Sequence, residues 1–358
     1  MAQIQRYDWA DFMRGLMMFL VILYHSEVYY FSTHTKSWVF APFFLTGFFF
    51  ISGYLFTNDI EMGSLKGKLI QVLRAIIIPY FIFSLGLALP KSFAGDVDKT
   101  QLIIDIITLR ASWFVIAIGV MQILFAMVLT VKKSVMSICF ATIIMFSIGY
   151  ASVLVYREQP SWLIDNPWLN SPYLINRLPL CLNLALVQTP FFCLGILFRR
   201  YENKLNLPLG KNALFISSLL YVIMYLWLDH CYVGSRMCVV VHSYNNILLV
   251  FFYGVIGIWT LMCFSKMIQF CKPLNYIGKH SILFYFLNGG VLTFVSAIVK
   301  KISFMNPEDY INQIIVAIIA TMIMFPCVWF INKDMPILCG NKDSFNRLSK
   351  RLGLKINW

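Results

Sequence analysis

The sequence predicts an all-α, polytopic membrane protein with about ten transmembrane helices and both termini in the cytoplasm. Three observations predict it. Of 358 residues, 59% are hydrophobic and only 13% charged, about half the charge density of an ordinary soluble protein. The apolar residues gather into stretches of about 20, the length of a helix that crosses a bilayer. Basic residues favour alternate connections, on the side that the N-terminus would share. The same composition excludes a disordered chain and a disulfide-stapled mini-domain. The net charge of +13 comes with no soluble module that could enter a groove, so no nucleic acid partner is expected. Lys and Arg at helix ends facing anionic membrane lipid account for the charge, and a bound polyanion is the alternative.

Ten spans follow in order: Phe12–Phe31, Trp38–Thr57, Leu69–Leu89, Ser112–Val131, Val135–Tyr156, Arg177–Phe198, Ala213–Leu228, Tyr244–Ser265, Ser281–Val299 and Ile311–Ile331. The first is too long for a cleaved signal peptide and lacks a small-residue cleavage site. Pro179 and Pro190 interrupt the sixth, which predicts a kinked segment among neighbours that satisfy its freed backbone groups. Residues 1–335 read as one membrane domain and 336–358 as a short basic cytoplasmic tail. Its Lys342, Arg347, Lys350, Arg351 and Lys355 are expected at lipid headgroups. On the outer loops, Asp96, Asp98, Trp162, Asp165 and Trp168 read as interfacial anchors, with sugar binding as the alternative. Among the nine cysteines, those within spans behave as small apolar residues. Cys231 and Cys238 share an outer loop and form a candidate disulfide. His230, Cys231, Cys238 and His242 match no common zinc spacing, so no metal is expected.

Ionisable groups inside spans are costly and usually face a cavity, a partner or a substrate path. The first span holds Arg14 and His25, with Asp11 and Glu27 at its ends. Eleven residues of helix rotate by about 20° net and rise about 16 Å, so Arg14 and His25 share one face. Asp11, three residues before Arg14, can pair with it, whereas Glu27 points roughly opposite His25. The geometry is a polar lane through an apolar wall. Snorkelling of Arg14 and a hydrogen bond to His25 inside the bundle are the alternative. Beside this pair stand Ser52-Gly53 in an aromatic run of the second span, Arg74 and Pro79 in the third, and Trp113 opening the fourth. Each alone is explained by close packing, snorkelling or interfacial anchoring.

Taken in this order the features resemble the membrane-bound acyltransferase 3 family. That family begins with an arginine, ten residues and a histidine, as at Arg14 and His25. A Phe-Phe-x-Ser-Gly-aromatic motif follows, matched from Phe49 to Tyr54 and including Ser52 and Gly53. Next come Arg-x-x-x-x-Pro-Tyr, matched from Arg74 to Tyr80, and Trp-Phe-aliphatic, matched from Trp113 to Val115. A late Ile-Gly-Lys-x-Ser with a following Tyr is matched by Ile277 to Ser281 and Tyr285. The chain departs from many members at Gln71, where they carry a second arginine, and at Asn288, where they carry a histidine.

The resemblance implies an integral membrane O-acyltransferase. It would move an acyl group, most often acetyl, from acyl-CoA to a hydroxyl of a sugar in a cell-surface polysaccharide or glycolipid. Acyl-CoA is then a co-substrate, and no permanently bound cofactor is implied. A thioester is already activated, so the reaction needs a base for the hydroxyl and a place for developing negative charge. His25 suits the base role or acyl acceptance. Arg14 and Arg74 suit the donor phosphates. Asp11, Glu27, Ser52, Gly53, Trp113, Tyr285 and Asn288 are supporting or substrate-lining candidates. The implied setting is a bacterial inner membrane, and acylation would be direct because no hydrolase-like domain follows the tenth span. A transporter or flippase of polysaccharide precursors is the competing class, and it would show broken helices in two related halves. A glycan polymerase would show large arginine-rich outer loops.

Overall fold

The computed structural model describes residues 7–31, 39–60, 64–93, 98–158, 160–169, 178–205, 207–231, 247–302 and 305–353. Every regular element among them is helical. The chain runs α1 (Asp8–Ser26), a π-helical turn (Glu27–Phe31), α2 (Ala41–Ile60), α3 (Leu65–Val72), a second π-helical turn (Leu73–Ile77), α4 (Ile78–Phe93), α5 (Lys99–Ile107) and α6 (Trp113–Val131). It continues through α7 (Val135–Glu158), α8 (Ser161–Ile164), a 3₁₀ turn (Pro179–Cys181), α9 (Leu182–Val187), α10 (Thr189–Leu205), α11 (Lys211–Cys231) and α12 (Ile247–Met267). Then come α13 (Lys272–Lys279), α14 (Ser281–Val299), α15 (Tyr310–Asp334), a 3₁₀ turn (Pro336–Cys339) and α16 (Lys342–Arg351).

Helix is the dictated choice where no water competes, because it satisfies each backbone group within its own segment. Five helical stretches are long and apolar enough to cross a membrane: Leu65–Gly86, Trp113–Val131, Val135–Tyr156, Ser281–Val299 and Tyr310–Asp334. Pro179–Val187 and Thr189–Lys204, bent by 60°, make a sixth if they count as one broken span. The chain is therefore a multi-pass membrane protein. The kink lies at Gln188, two residues before Pro190, while Pro179 opens the first piece. The third span starts at Leu65 rather than Leu69, because the Ser64 side chain caps α3 by accepting from the Gly67 amide at 3.3 Å. Apolar helices at Ala41–Phe56, Lys211–Trp227 and Phe251–Met267 are shorter. Helix α1 has 19 residues but carries Asp8, Asp11 and Arg14, which dilute its apolar character. Cys238, and with it the candidate pairing to Cys231, lies outside the described residues.

The chain divides into two compact units. One comprises Met1–Ile51 and Tyr201–Trp329, the other Ser52–Arg200 and Phe330–Trp358. In the first, α1 is central and packs against α12, α13 and α14. Two glycines allow that packing. A Cβ on Gly15 would overlap the Leu274 carbonyl, and one on Gly278 would overlap the Asp11 carbonyl. The Ile277-Gly278-Lys279 motif thus serves as a contact surface for α1. In the second unit, α7 and α6 pack on α9, and α3 packs on α6. There Gly53 lies against the Phe192 carbonyl of α10, so the Ser52-Gly53 step admits a close backbone approach.

Overpacking at such a contact costs about 1–3 kcal/mol. Gly278→Ala should therefore lower the thermal midpoint of the detergent-purified protein by several degrees. Gly86→Ala, which meets nothing within 4 Å, should leave it unchanged.

Candidate functional site

The first unit collects Asp11, Arg14, His25, Glu27, Tyr285 and Asn288. Helix α1 is unbroken from Asp8 to Ser26, so the shared face of Arg14 and His25 survives in the fold. His25 stands at the last turn before the π-helical segment, a distortion that often accompanies functional sites. Its Nδ1 lies 2.8 Å from the Val21 carbonyl oxygen. A carbonyl only accepts, so Nδ1 carries the proton and Nε2 of the neutral ring keeps its lone pair. The ring is held between Tyr24, edge-on with centroids 5.5 Å apart, and Tyr29, stacked at 6.4 Å. It remains only half-buried.

Arg14 donates Nη2 to the carboxylate of Asp11, which is buried while Arg14 keeps 28% of its side-chain exposure. The charge is thus balanced within one helical turn, and the guanidinium retains reach toward a ligand. Glu27 is fully buried at the start of the π turn, with Tyr310 within electrostatic range. Helix α14 packs on α1 and on the π turn, and a Cβ on Gly289 would lie 3.4 Å from the Tyr29 hydroxyl. Asn288 beside it is buried, and its Oδ1 has no hydrogen-bond partner among the described residues. Tyr285 is half-buried one turn earlier on α14.

Residues outside the sequence motifs fix this region. Ser26 donates Oγ to the main-chain carbonyls of Leu23 at 2.7 Å and Gln313 at 3.1 Å. Tyr30 donates its hydroxyl to the Met305 carbonyl at 2.6 Å. The Gln313 amide donates to the Pro307 carbonyl at 2.8 Å. These bonds tie the π turn to the start of α15. No spacing rule announces the Ser26–Gln313 and Tyr30–Met305 bonds, because each joins segments more than 270 residues apart.

The second unit holds Ser52, Gly53, Arg74 and Trp113. Arg74 lies in the second π turn and donates Nη1 to the main-chain carbonyl of Gly340, with the Asp343 carboxylate within electrostatic range. Gly340 is left-handed, with φ of 65°, and packs on Ala75. Burial in this C-terminal turn pushes the Cys339 thiol up to about 11, so it stays neutral. At the position of the missing second arginine, Gln71 accepts a hydrogen bond from Lys68 at 3.0 Å. Lys68 also sits 4.8 Å from the Phe56 ring centroid. The Tyr54 hydroxyl, closing the Ser-Gly-aromatic motif, accepts from Arg199 at 3.3 Å.

Tyr80 of the Pro-Tyr step donates to the Ile106 carbonyl at 3.0 Å and accepts from the Ala111 amide at 3.3 Å. Beside it Arg110 is fully buried. It meets Asp105 at 3.0 Å, Thr108 Oγ1 at 2.9 Å and the Pro167 carbonyl at 2.8 Å. Gln101 donates to the same Asp105 carboxylate at 3.1 Å. This network carries the chain into Trp113, which is buried at the start of α6. No motif in the sequence marks Arg110, yet its contacts anchor the connection between α5 and α6.

Removing one partner of a buried ion pair leaves an uncompensated charge and costs about 3–5 kcal/mol. Arg110→Met should therefore sharply lower thermal stability. The pair Asp105→Asn with Arg110→Met should recover part of the loss in a double-mutant cycle.

A family model described as an acyltransferase domain matches residues 7–333. No curated protein and no solved structure matches the chain.

Proposed function

Because the chain belongs to the acyltransferase 3 family, we propose that it is an O-acyltransferase. It moves an acyl group, most simply acetyl, from acyl-CoA to a sugar hydroxyl of a cell-surface polysaccharide or glycolipid. The observation that carries this reading is the imidazole of His25, with its Nδ1 proton held by Val21 and its Nε2 lone pair free to act. In direct transfer, Nε2 takes the proton as the hydroxyl oxygen attacks the thioester carbonyl. The C–S bond then breaks, and the CoA thiolate leaves to collect a proton. In the covalent route, Nε2 itself attacks the carbonyl, CoA leaves, and the hydroxyl resolves the acyl-imidazole. Arg14, steadied by Asp11, supplies positive charge to the donor phosphates. Glu27, Tyr285 and Asn288 shape the surroundings of His25, while Trp113, Ser52 and Gly53 serve the packing of the second unit. Ten spans with both termini in the cytoplasm, in a bacterial inner membrane, complete the reading.

The test is release of free CoA from radiolabelled acetyl-CoA by the purified chain in liposomes, with and without cell-envelope glycan. A general base contributes about 10²–10⁴-fold, so His25→Ala should cut turnover by at least that while leaving thermal stability within a few degrees. Radiolabel retained on the wild-type protein without acceptor, and absent from His25→Ala, marks the covalent route. Full turnover by folded His25→Ala contradicts the proposal. The bent α9–α10 pair is the feature that a transporter would use, and a transporter would release no CoA.

A further inference from the structure

Beyond α15 the chain does not trail away. It makes the 3₁₀ turn, reverses at Gly340 and lays α16 back beside the end of the span, within the second unit. Three contacts fix this arrangement. Arg74 holds the Gly340 carbonyl, the Asn341 side chain caps α16 by accepting from the Ser344 amide at 3.1 Å, and Phe345 is buried. The turn and α16 line an open cavity of about 500 Å³, within the size of small-ligand sites. Ile337, Leu338 and Leu348 give it apolar walls, with Arg347, Arg351 and Asp334 at its polar edge.

Arg347 and Arg351 are four residues apart on α16, so they project from one face. Two like charges at that spacing repel, and an anion between them relieves the repulsion. Arginine pairs bind phosphate oxygens through planar, bidentate forks. The cavity also adjoins the end of a helix of 25 residues that is apolar and long enough to cross a membrane, and the ends of such helices reach the headgroup region. Apolar walls, paired arginines and an interfacial position suit a molecule with a phosphate at one end and apolar character beside it.

We propose that this cavity binds the phosphate of a phosphorylated amphiphile, with Arg347 and Arg351 clamping its oxygens. Two sources share that chemistry: the nucleotide end of acyl-CoA and the headgroup of an anionic phospholipid. The CoA source rests on the acyltransferase reading, and the lipid source stands without it. Arg74 then acts as a positioning residue that holds the cavity wall.

Direct binding to the full-length protein in detergent tests this. One arm compares CoA with pantetheine, which lacks the nucleotide phosphates. The other compares phosphatidic acid with diacylglycerol, by native mass spectrometry. Arg347→Gln with Arg351→Gln should weaken CoA or phosphatidic acid by about tenfold or more and leave pantetheine and diacylglycerol unchanged. Lys342→Gln with Lys350→Gln removes the same charge from α16 without touching the cavity lining, and should change neither. Thermal unfolding confirms that each variant is folded. The ligand whose affinity falls identifies the source. Wild-type protein that fails to bind CoA contradicts the acyl-CoA reading, and the lipid arm then decides the cavity alone. Unchanged affinity for both phosphorylated ligands in the arginine variant, or an equal fall in the lysine variant, overturns the proposal.

Discussion

The hydrogen bond from His25 Nδ1 to the Val21 carbonyl is the interaction on which the functional account depends. A histidine on a largely buried helix must satisfy one ring nitrogen within the protein, and a carbonyl one turn back is the nearest partner that only accepts. That choice fixes the tautomer and leaves the remaining lone pair on Nε2. It also explains the neighbourhood. The two tyrosines limit rotation of the ring, and the π turn begins two residues later, where Ser26 and Tyr30 tie the helix end to the start of α15.

The same economy governs the other charges that the apolar spans and their connections bury. Asp11 balances Arg14 within a turn, Asp105 balances Arg110, and Arg74 meets a main-chain carbonyl. Burying an ion without a partner costs several kcal/mol, so each cation has a local solution. Those solutions differ in what they leave available. Arg110 is enclosed, with carboxylate and carbonyl at Nη2 and a hydroxyl at Nε, and is committed to structure. Arg14 keeps partial exposure and can still meet a ligand. Motif residues divide in the same way: Gly278, Gly53 and Tyr80 make the packing that holds the helices, while in the proposed function His25 supplies the reacting nitrogen.

Composition was enough for the fold class, because a charge density this low leaves helices in lipid as the physical solution. Boundaries were legible where an apolar run ends in a hard signal. Lys132 stops α6 and Lys300 follows α14, and both helices end where expected. Leu65–Gly86 was harder to place, since its start depends on a cap at Ser64 rather than on hydrophobicity. The shared face of Arg14 and His25 was legible from helical period alone. The bond between Arg74 and Gly340 was not, for it joins residues 266 apart. The π turns were equally hidden, because one inserted residue leaves no mark in an aromatic run such as Glu27–Phe31.

The most direct test of the central claim is the ¹⁵N spectrum of the full chain, labelled at histidine, in lipid nanodiscs at neutral pH. Five histidines contribute, and the His25 signals are those missing from His25→Gln. The account predicts a neutral ring protonated at Nδ1 with Nε2 bare. A ring protonated at Nε2, with Nδ1 bare, would contradict it, because Val21 could then hold no proton and the reactive lone pair would point back into α1.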